Sequence, residues 1–538
     1  MMRIILLLAA AAAACSAQIQ NISGEHIRAD VKFLSSDLLE GRGVDARGGR
    51  LATEYLAAQF ALAGAKPAGD NGTYFQTVPL IGVETQPDAQ LSAARGGRQV
   101  EFKWLDEFVG SDERQEPSED LDAEAVFVGH GIVAPEFNWD DFKGADVRGK
   151  ILVLFTNEPP SEDPRFFGGR ALTYFGRWTY KFEEAQRRGA LAAIIIHTTP
   201  TAGYGWEVVR NSWGREQSYV RLAPGEPALA FAGWVTEEAG GRLLGLSGNA
   251  VAEMLRAANT REFRPIPLGI RIRLRLHSKV REQDTRNVVA IIPGSDAGPK
   301  PEAVLFSAHW DHLGIGPPVN GDAIYNGAVD NATGCAMLLE IARAWAALEQ
   351  KPRRSAIFAS VTAEESGMQG SEYYAAHPVI AAGLTAAAFN LDAFNPFGRT
   401  RDVVVTGAER TSLWPLVEDT ARRFNLVIQP DPEPEQGHFY RSDHFSFARA
   451  GIPSFSIDQG NEVLGKPPGW GERAAHEFEE KHYHQPSDEY HDDWDFSGLE
   501  ELARFTMALG VGAANLDRLP TWNPGDEFLP ARQKSGVR

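Results

Sequence analysis

Five side chains able to hold a metal occur in the order His309, Asp330, Glu365, Asp392 and His484, and a further carboxylate, Glu364, stands directly beside the third. Near neutral pH, divalent metals take imidazole nitrogen and carboxylate oxygen. A pair of ions roughly 3.5–4 Å apart needs one shared carboxylate and terminal ligands on either side. Two histidines and three carboxylates meet that need. The mixed donor set suits zinc best, with cobalt or manganese as substitutes. Water held by such ions loses its proton readily, and a free carboxylate nearby can take it and pass it on. Glu364 can be that group, because adjacent side chains point in different directions. The chemistry implied is metal-assisted hydrolysis.

The elements that must position these residues are short apolar runs. Ala303 to Ala308 leads into His309, Ser355 to Thr362 into Glu364-Glu365, and Ala386 to Leu391 into Asp392. Asn287 to Ile292 is a similar run, and helical patterns such as Ala336 to Leu348 lie between several of them. Strands alternating with helices predict an α/β fold with a mostly parallel central sheet flanked by helices. Buried parallel strands read as continuous apolar runs, as these do. Ligands of open α/β sheets bind at the carboxyl ends of strands, so three strands deliver polar residues to one edge.

Nearer the start, Ile27 to Leu39 carries a helical rhythm, and Leu51 to Ala63 predicts a second helix ended by Gly64 and Pro67. The glycines of Gly41-Arg42-Gly43 and Gly48-Gly49 lack a Walker lysine and read as a plain loop. Residues 110–120 are polar and acidic and read as a linker. Strand patterns follow at Ala125 to Val128, Ile151 to Phe155 and Ala192 to Ile196, the last after a helical Phe182 to Arg188. The expected organisation is a signal peptide at 1–17, the first part of the main domain at 18–119, a β-rich insert at 120–265, and the rest of the main domain at 266–538.

The chain has 538 residues and a formal net charge of -19, which excludes the basic face of a nucleic-acid binder. Arg3 followed by the apolar Ile4 to Ala14 reads as an export signal, too short to span a bilayer. Cleavage after Ala17 fits; lipidation at Cys15 is the alternative, since Ala13-Ala14-Cys15 resembles a weak lipobox. The protein is therefore expected outside the cytoplasm, periplasmic or extracellular, with a lipid anchor as the variant. Cys335 is the only other cysteine and sits in an apolar helical run, so it reads as a buried thiol.

Five segments carry a family resemblance: Ala308-His309-Trp310-Asp311-His312-Leu313-Gly314, Gly327-Ala328-Val329-Asp330-Asn331-Ala332-Thr333-Gly334, Thr362-Ala363-Glu364-Glu365-Ser366-Gly367, Asn390-Leu391-Asp392, and Tyr483-His484-Gln485-Pro486-Ser487-Asp488. Together, over about 285 to 515, they resemble the M28 zinc metallopeptidases, which include bacterial aminopeptidases. The resemblance implies two zinc ions bridged by Asp330. His309 and Asp392 would complete one ion, Glu365 and His484 the other. It further implies Glu364 as general base, Asp311 as the partner orienting the His309 ring, Tyr483 as donor to the developing oxyanion, and a cis bond at Asp330-Asn331. Arg441-Ser442-Asp443-His444 also resembles a segment near the family's pocket. The insert resembles the protease-associated domain through Val128-Gly129-His130-Gly131-Ile132, Gly149 to Val153 and Gly189 to Ile196.

An exported aminopeptidase acting on peptides is the reading that follows. A carboxypeptidase like the glutamate carboxypeptidases would need a basic clamp, for which Arg177, Arg210 and Arg441 are available. A glutaminyl cyclase would work with one zinc. A receptor-like binding protein would lack metal ligands that are all present here.

Overall fold

An apolar run is buried along its whole length only when both faces of its sheet are covered. That is the situation of Ala303–His309, Ser355–Val361 and Thr385–Asn390, each buried at every position. Alternate side chains of Ala303–His309 go to opposite faces. Phe306 and Ala308 join Cys335, Trp345 and Phe505 on one side, whereas Leu305 joins Tyr374 and Phe447 on the other. The computed structural model that shows this describes residues 19, 21–296 and 301–537. The expected signal segment 1–17 and Cys15 lie outside the described residues.

Contacts divide the chain into two compact units. Among the described residues, the first runs up to 78 and takes in 284–432 and 441–537; the second comprises 79–283 and 433–440. In the first unit, Ala303–His309 lies between Ser355–Val361 and Thr385–Asn390, parallel to both. Thr385–Asn390 runs parallel to Ser454–Gln459 in turn. Antiparallel partners flank this parallel centre: Val288 to Ile292 beside Ser355–Val361, and Asp402–Thr406 beside Ser454–Gln459. The helices Gly24–Leu34, Arg47–Leu62, Gly334–Ala346 and Ser497–Asn515 supply one covering layer. The shorter helices Gln369–Ala376 and His444–Arg449 lie on the other. The α/β architecture expected from the apolar runs is the one observed.

The second unit has parallel strands Ile151–Phe155, Ala192–Ile196 and Phe231–Val235, with antiparallel pairing around them. It contains the whole of 120–265 and extends on both sides of it. Residues 112–117, expected as part of a linker, form a turn between the strands Phe108–Ser111 and Ser118–Phe127 of that unit. Their acidity has a local cause: the buried Asp112 carboxylate accepts the backbone N–H of Arg114 and of Glu116, each at 2.8 Å.

The glycine-rich segment near the start differs from the expected plain loop. Asp37–Arg42 is a 3₁₀ turn, and the helix Arg47–Leu62 begins before Leu51 and includes Gly48 and Gly49. A Cβ on Gly49 would stand 2.8 Å from the Trp310 ring, so the helix approaches that indole only where no side chain intervenes. Sequence periodicity missed this start because two glycines in a first turn carry no apolar rhythm.

A candidate dinuclear metal centre

Residues beyond the ends of three strands and three loops converge in the first unit. His309 ends its strand, while Glu364-Glu365 and Asp392 follow the ends of Ser355–Val361 and Thr385–Asn390. His309 Nε2 lies 3.0 Å from Asp392 Oδ1 and 3.2 Å from Asp330 Oδ1. The other oxygen of Asp330, Oδ2, lies 3.3 Å from His484 Nε2, which is itself 3.1 Å from Glu365 Oε2. Asp330 therefore presents one oxygen to each of two half-sites. All five residues expected as ligands meet in one place.

Each is held by partners of its own. Asn331 donates through Nδ2 to Leu391 O at 2.9 Å, tying the Asp330 turn to the Asp392 strand end. The Asp330-Asn331 peptide is cis. Asp488 accepts the N–H groups of Val329 (2.9 Å) and Asp330 (3.1 Å), so the segment that brings His484 also grips the Asp330 turn. Gly327 has φ +59°, and a Cβ there would fall 2.5 Å from the His312 ring, so only glycine fits this approach. Ser442 donates its hydroxyl to Asp392 Oδ2 and accepts from Asn390 Nδ2 at 2.7 Å, which places the Arg441-Ser442-Asp443 segment at the site.

Arg42 was not singled out by the sequence. Its buried guanidinium donates to Leu34 O (2.6 Å), Asn326 O (2.7 Å), Trp310 O (2.8 Å) and Gly327 O (2.8 Å). It thus pins the chain after His309 to the chain before Asp330. The only cue in the sequence was an arginine among glycines.

Asp311 acts differently from the expectation. His309 Nδ1 donates to the Asp311 main-chain carbonyl at 3.1 Å, and the carboxylate stands 3.9 Å away. That carboxylate accepts instead from the N–H groups of Glu364 (3.2 Å) and Glu365 (3.4 Å). Those donors follow the neighbouring strand Ser355–Val361, so spacing within the His309 segment could not reveal them. Tyr483 keeps 44% of its surface exposed. Its ring stacks on His484 (centroids 3.9 Å apart, 22° between planes). Partial desolvation, with Asp330, Glu365, Glu364 and Asp392 nearby, raises its pKa well above the usual phenol range.

His312 is a member of the cluster to which spacing assigned no role. Its Nδ1 stands 2.6 Å from Glu365 Oε1 and 4.0 Å from Asp330 Oδ2, and its Nε2 has no hydrogen-bond partner. The signal was a second histidine three residues after the first. His309, Asp330 and Asp392 form one group whose donor atoms could share an ion; His312, Asp330 and Glu365 form another. A partner that fixes a metal-binding carboxylate typically contributes 10–100-fold to affinity, on the order of one to three kcal/mol. We therefore expect His312→Ala to weaken zinc binding by about 10–100-fold at the Glu365 half-site while sparing the Asp392 half-site. Competition with a graded chelator, followed by metal quantification, reads this; equal affinity at both half-sites would reduce His312 to packing.

The residues fit divalent cations. Asp330, Glu364, Glu365 and Asp392 crowd together, and among the described residues none pairs with a Lys or Arg. Buried anions without counter-charge are costly. His484 Nε2 lies close to two carboxylates yet is aligned for a hydrogen bond with neither. Glu364 belongs to neither half-site. Burial pushes its carboxyl well above the usual range, opposed by His309 and reinforced by Asp392, Asp443 and Glu365.

Comparison with known proteins bears on the family and the fold. The model of peptidase family M28 matches residues 287–509. Aminopeptidase NAALADL1 of Mus musculus is 36% identical over 109 residues, 20% of this chain and 13% of that protein. Leupeptin-inactivating enzyme 1 of Streptomyces exfoliatus is 27% identical over 212 residues, 38% of this chain and 42% of its own length. The chain thus spans less than half of these curated relatives. Among solved structures, the aminopeptidase from Aneurinibacillus sp. strain AM-1 shares the fold, with a TM-score of 0.53 and 21% identity, over 95% of this chain and 98% of that one.

Proposed function

We propose, from the match of residues 287–509 to the model of peptidase family M28, that the protein is a two-zinc metallopeptidase that removes residues from the amino end of peptides. The observation that supports it most is Asp330, with one oxygen toward His309 and the other toward His484, beside a carboxylate that neither half-site uses. In this reading His309, Asp330 and Asp392 hold one ion; Asp330, Glu365 and His484 hold the other, with His312 beside them. Bound zinc would supply a Lewis acid for the scissile carbonyl and make an attacking water more acidic.

The chain's own groups do the rest. Glu364 takes the proton of the attacking water and returns it to the leaving amine. Asp311, through the N–H groups of Glu364 and Glu365, holds the pair of glutamates apart in role. Tyr483, whose hydroxyl keeps its proton, donates to the developing oxyanion. The aminopeptidase assignment draws on the mouse relative's activity. We assign 120–265 to a protease-associated insert and infer export from the first 17 residues. Among the described residues no helix is long and apolar enough to cross a membrane.

The test is the zinc-loaded full chain with leucine p-nitroanilide and an amino-blocked peptide. Release from the free-amine substrate alone, abolished by chelation and restored by zinc, is the expected result. Cleavage confined to the blocked peptide would overturn the amino-end assignment.

A further inference from the structure

Beside the metal centre lies a small cavity of about 100 Å³. Its wall begins at Ala393, the residue after Asp392. Phe394, Phe397 and Val463 give it apolar sides, and Asn395 and Asp458 give it a polar portion. The sheet explains the placement. Asn390 is in register with Ser456 on the parallel neighbour strand, so two residues further along, Asp392 and Asp458 come to the same level of the carboxyl edge. That edge is where ligands of such sheets bind.

Asp458 is not used by the metal site, and among the described residues no cation acts on its carboxylate. Ser456 donates its hydroxyl to Oδ2 at 3.0 Å. Its charged neighbours, Asp392 and Asp431, are acidic as well. Asn395 Oδ1, a second acceptor lining the cavity, has no hydrogen-bond partner. Burial pushes the Asp458 carboxyl up to about 7, the direction expected of an acid without a counter-ion.

We propose that this cavity receives the side chain of the residue whose carbonyl is attacked, and that Asp458 selects a cationic one, lysine or arginine. The inference rests on the amino-end peptidase reading above and names its substrate class. A lysine or arginine stem is apolar and its head charged, which matches apolar walls with a carboxylate and an amide oxygen among them. The substrate's α-amine is a poorer occupant, since it has no stem to fill those walls.

The experiment compares kcat/KM for lysine, norleucine and leucine p-nitroanilides at pH 8, on zinc-loaded wild type and Asp458→Asn. Norleucine keeps the stem and lacks the charge. A hydrogen-bonded charge pair is worth roughly tenfold or more in discrimination. The expected result is a lysine-to-norleucine ratio of about 10 or above in the wild type, falling about tenfold in Asp458→Asn. Asp458→Glu, which keeps the charge, should retain part of the preference. A ratio of one or less in the wild type, or one unchanged in Asp458→Asn, overturns the proposal while leaving the peptidase reading intact. If no p-nitroanilide is cleaved, the peptidase reading fails, and calorimetry with lysine amide and norleucine amide decides the cavity separately. Tighter lysine amide binding that Asp458→Asn abolishes supports the subsite; equal binding of the two amides sinks it.

Discussion

Glu364→Gln should bind zinc as the wild type does and lose turnover by about 10²–10⁴-fold, the range a positioned general base contributes. The substitution keeps shape and hydrogen-bonding bulk and removes only the basic oxygen. The Glu364 main-chain N–H to Asp311 is untouched, so the hold on the adjacent Glu365 remains. The Glu364 side chain belongs to neither group of donor atoms that could share an ion, so metal content should not change; the five ligand positions pair among themselves. The loss should fall on kcat with little change in KM, the pattern of an interaction made only in the transition state. Equal zinc per chain with normal turnover would remove Glu364 from the role of base, whereas lost zinc would make it a ligand.

Asp330→Asn should have the widest effect on the metals. In the proposed centre every other ligand would serve one half-site, but Asp330 faces His309 with Oδ1 and His484 with Oδ2. Neutralising it removes charge from both at once. Zinc affinity should fall by more than about 100-fold, beyond what outer partners of a ligand typically contribute, and activity should follow. Asp392→Asn, by contrast, should weaken the His309 half-site and spare the other. Metal quantification after dialysis, paired with thermal unfolding of the metal-free forms, reads both sides. Two ions retained at wild-type affinity in Asp330→Asn would end the bridging assignment.

The strand ends were legible because a buried parallel strand must be apolar throughout, so the first polar residue beyond it marks the sheet's carboxyl edge. That logic located His309, Glu364, Glu365 and Asp392 on linear grounds. His484 was harder. It lies in no apolar run, among His476, His482 and His491, and only the Tyr-His-x-Pro-Ser-Asp context distinguished it. The structure supplies the reason for that context: Asp488 grips the Asp330 turn and so carries His484 with it.

The kinds of chemical group, their order and their association with strand ends follow from the amino-acid sequence alone, because they depend on local polarity and on the period of two along a strand. What only the tertiary structure decided are the partnerships between distant segments. Arg42 pins two loops some 270 residues further along; the Asp311 carboxylate reaches the glutamates and leaves the His309 ring to a carbonyl; His312 meets Glu365; and Asp458 rises level with Asp392. None of these leaves a period or a spacing in the chain, because each depends on which strands are neighbours and in what register. Strand neighbourhood is set by packing of the whole sheet and its two helical layers.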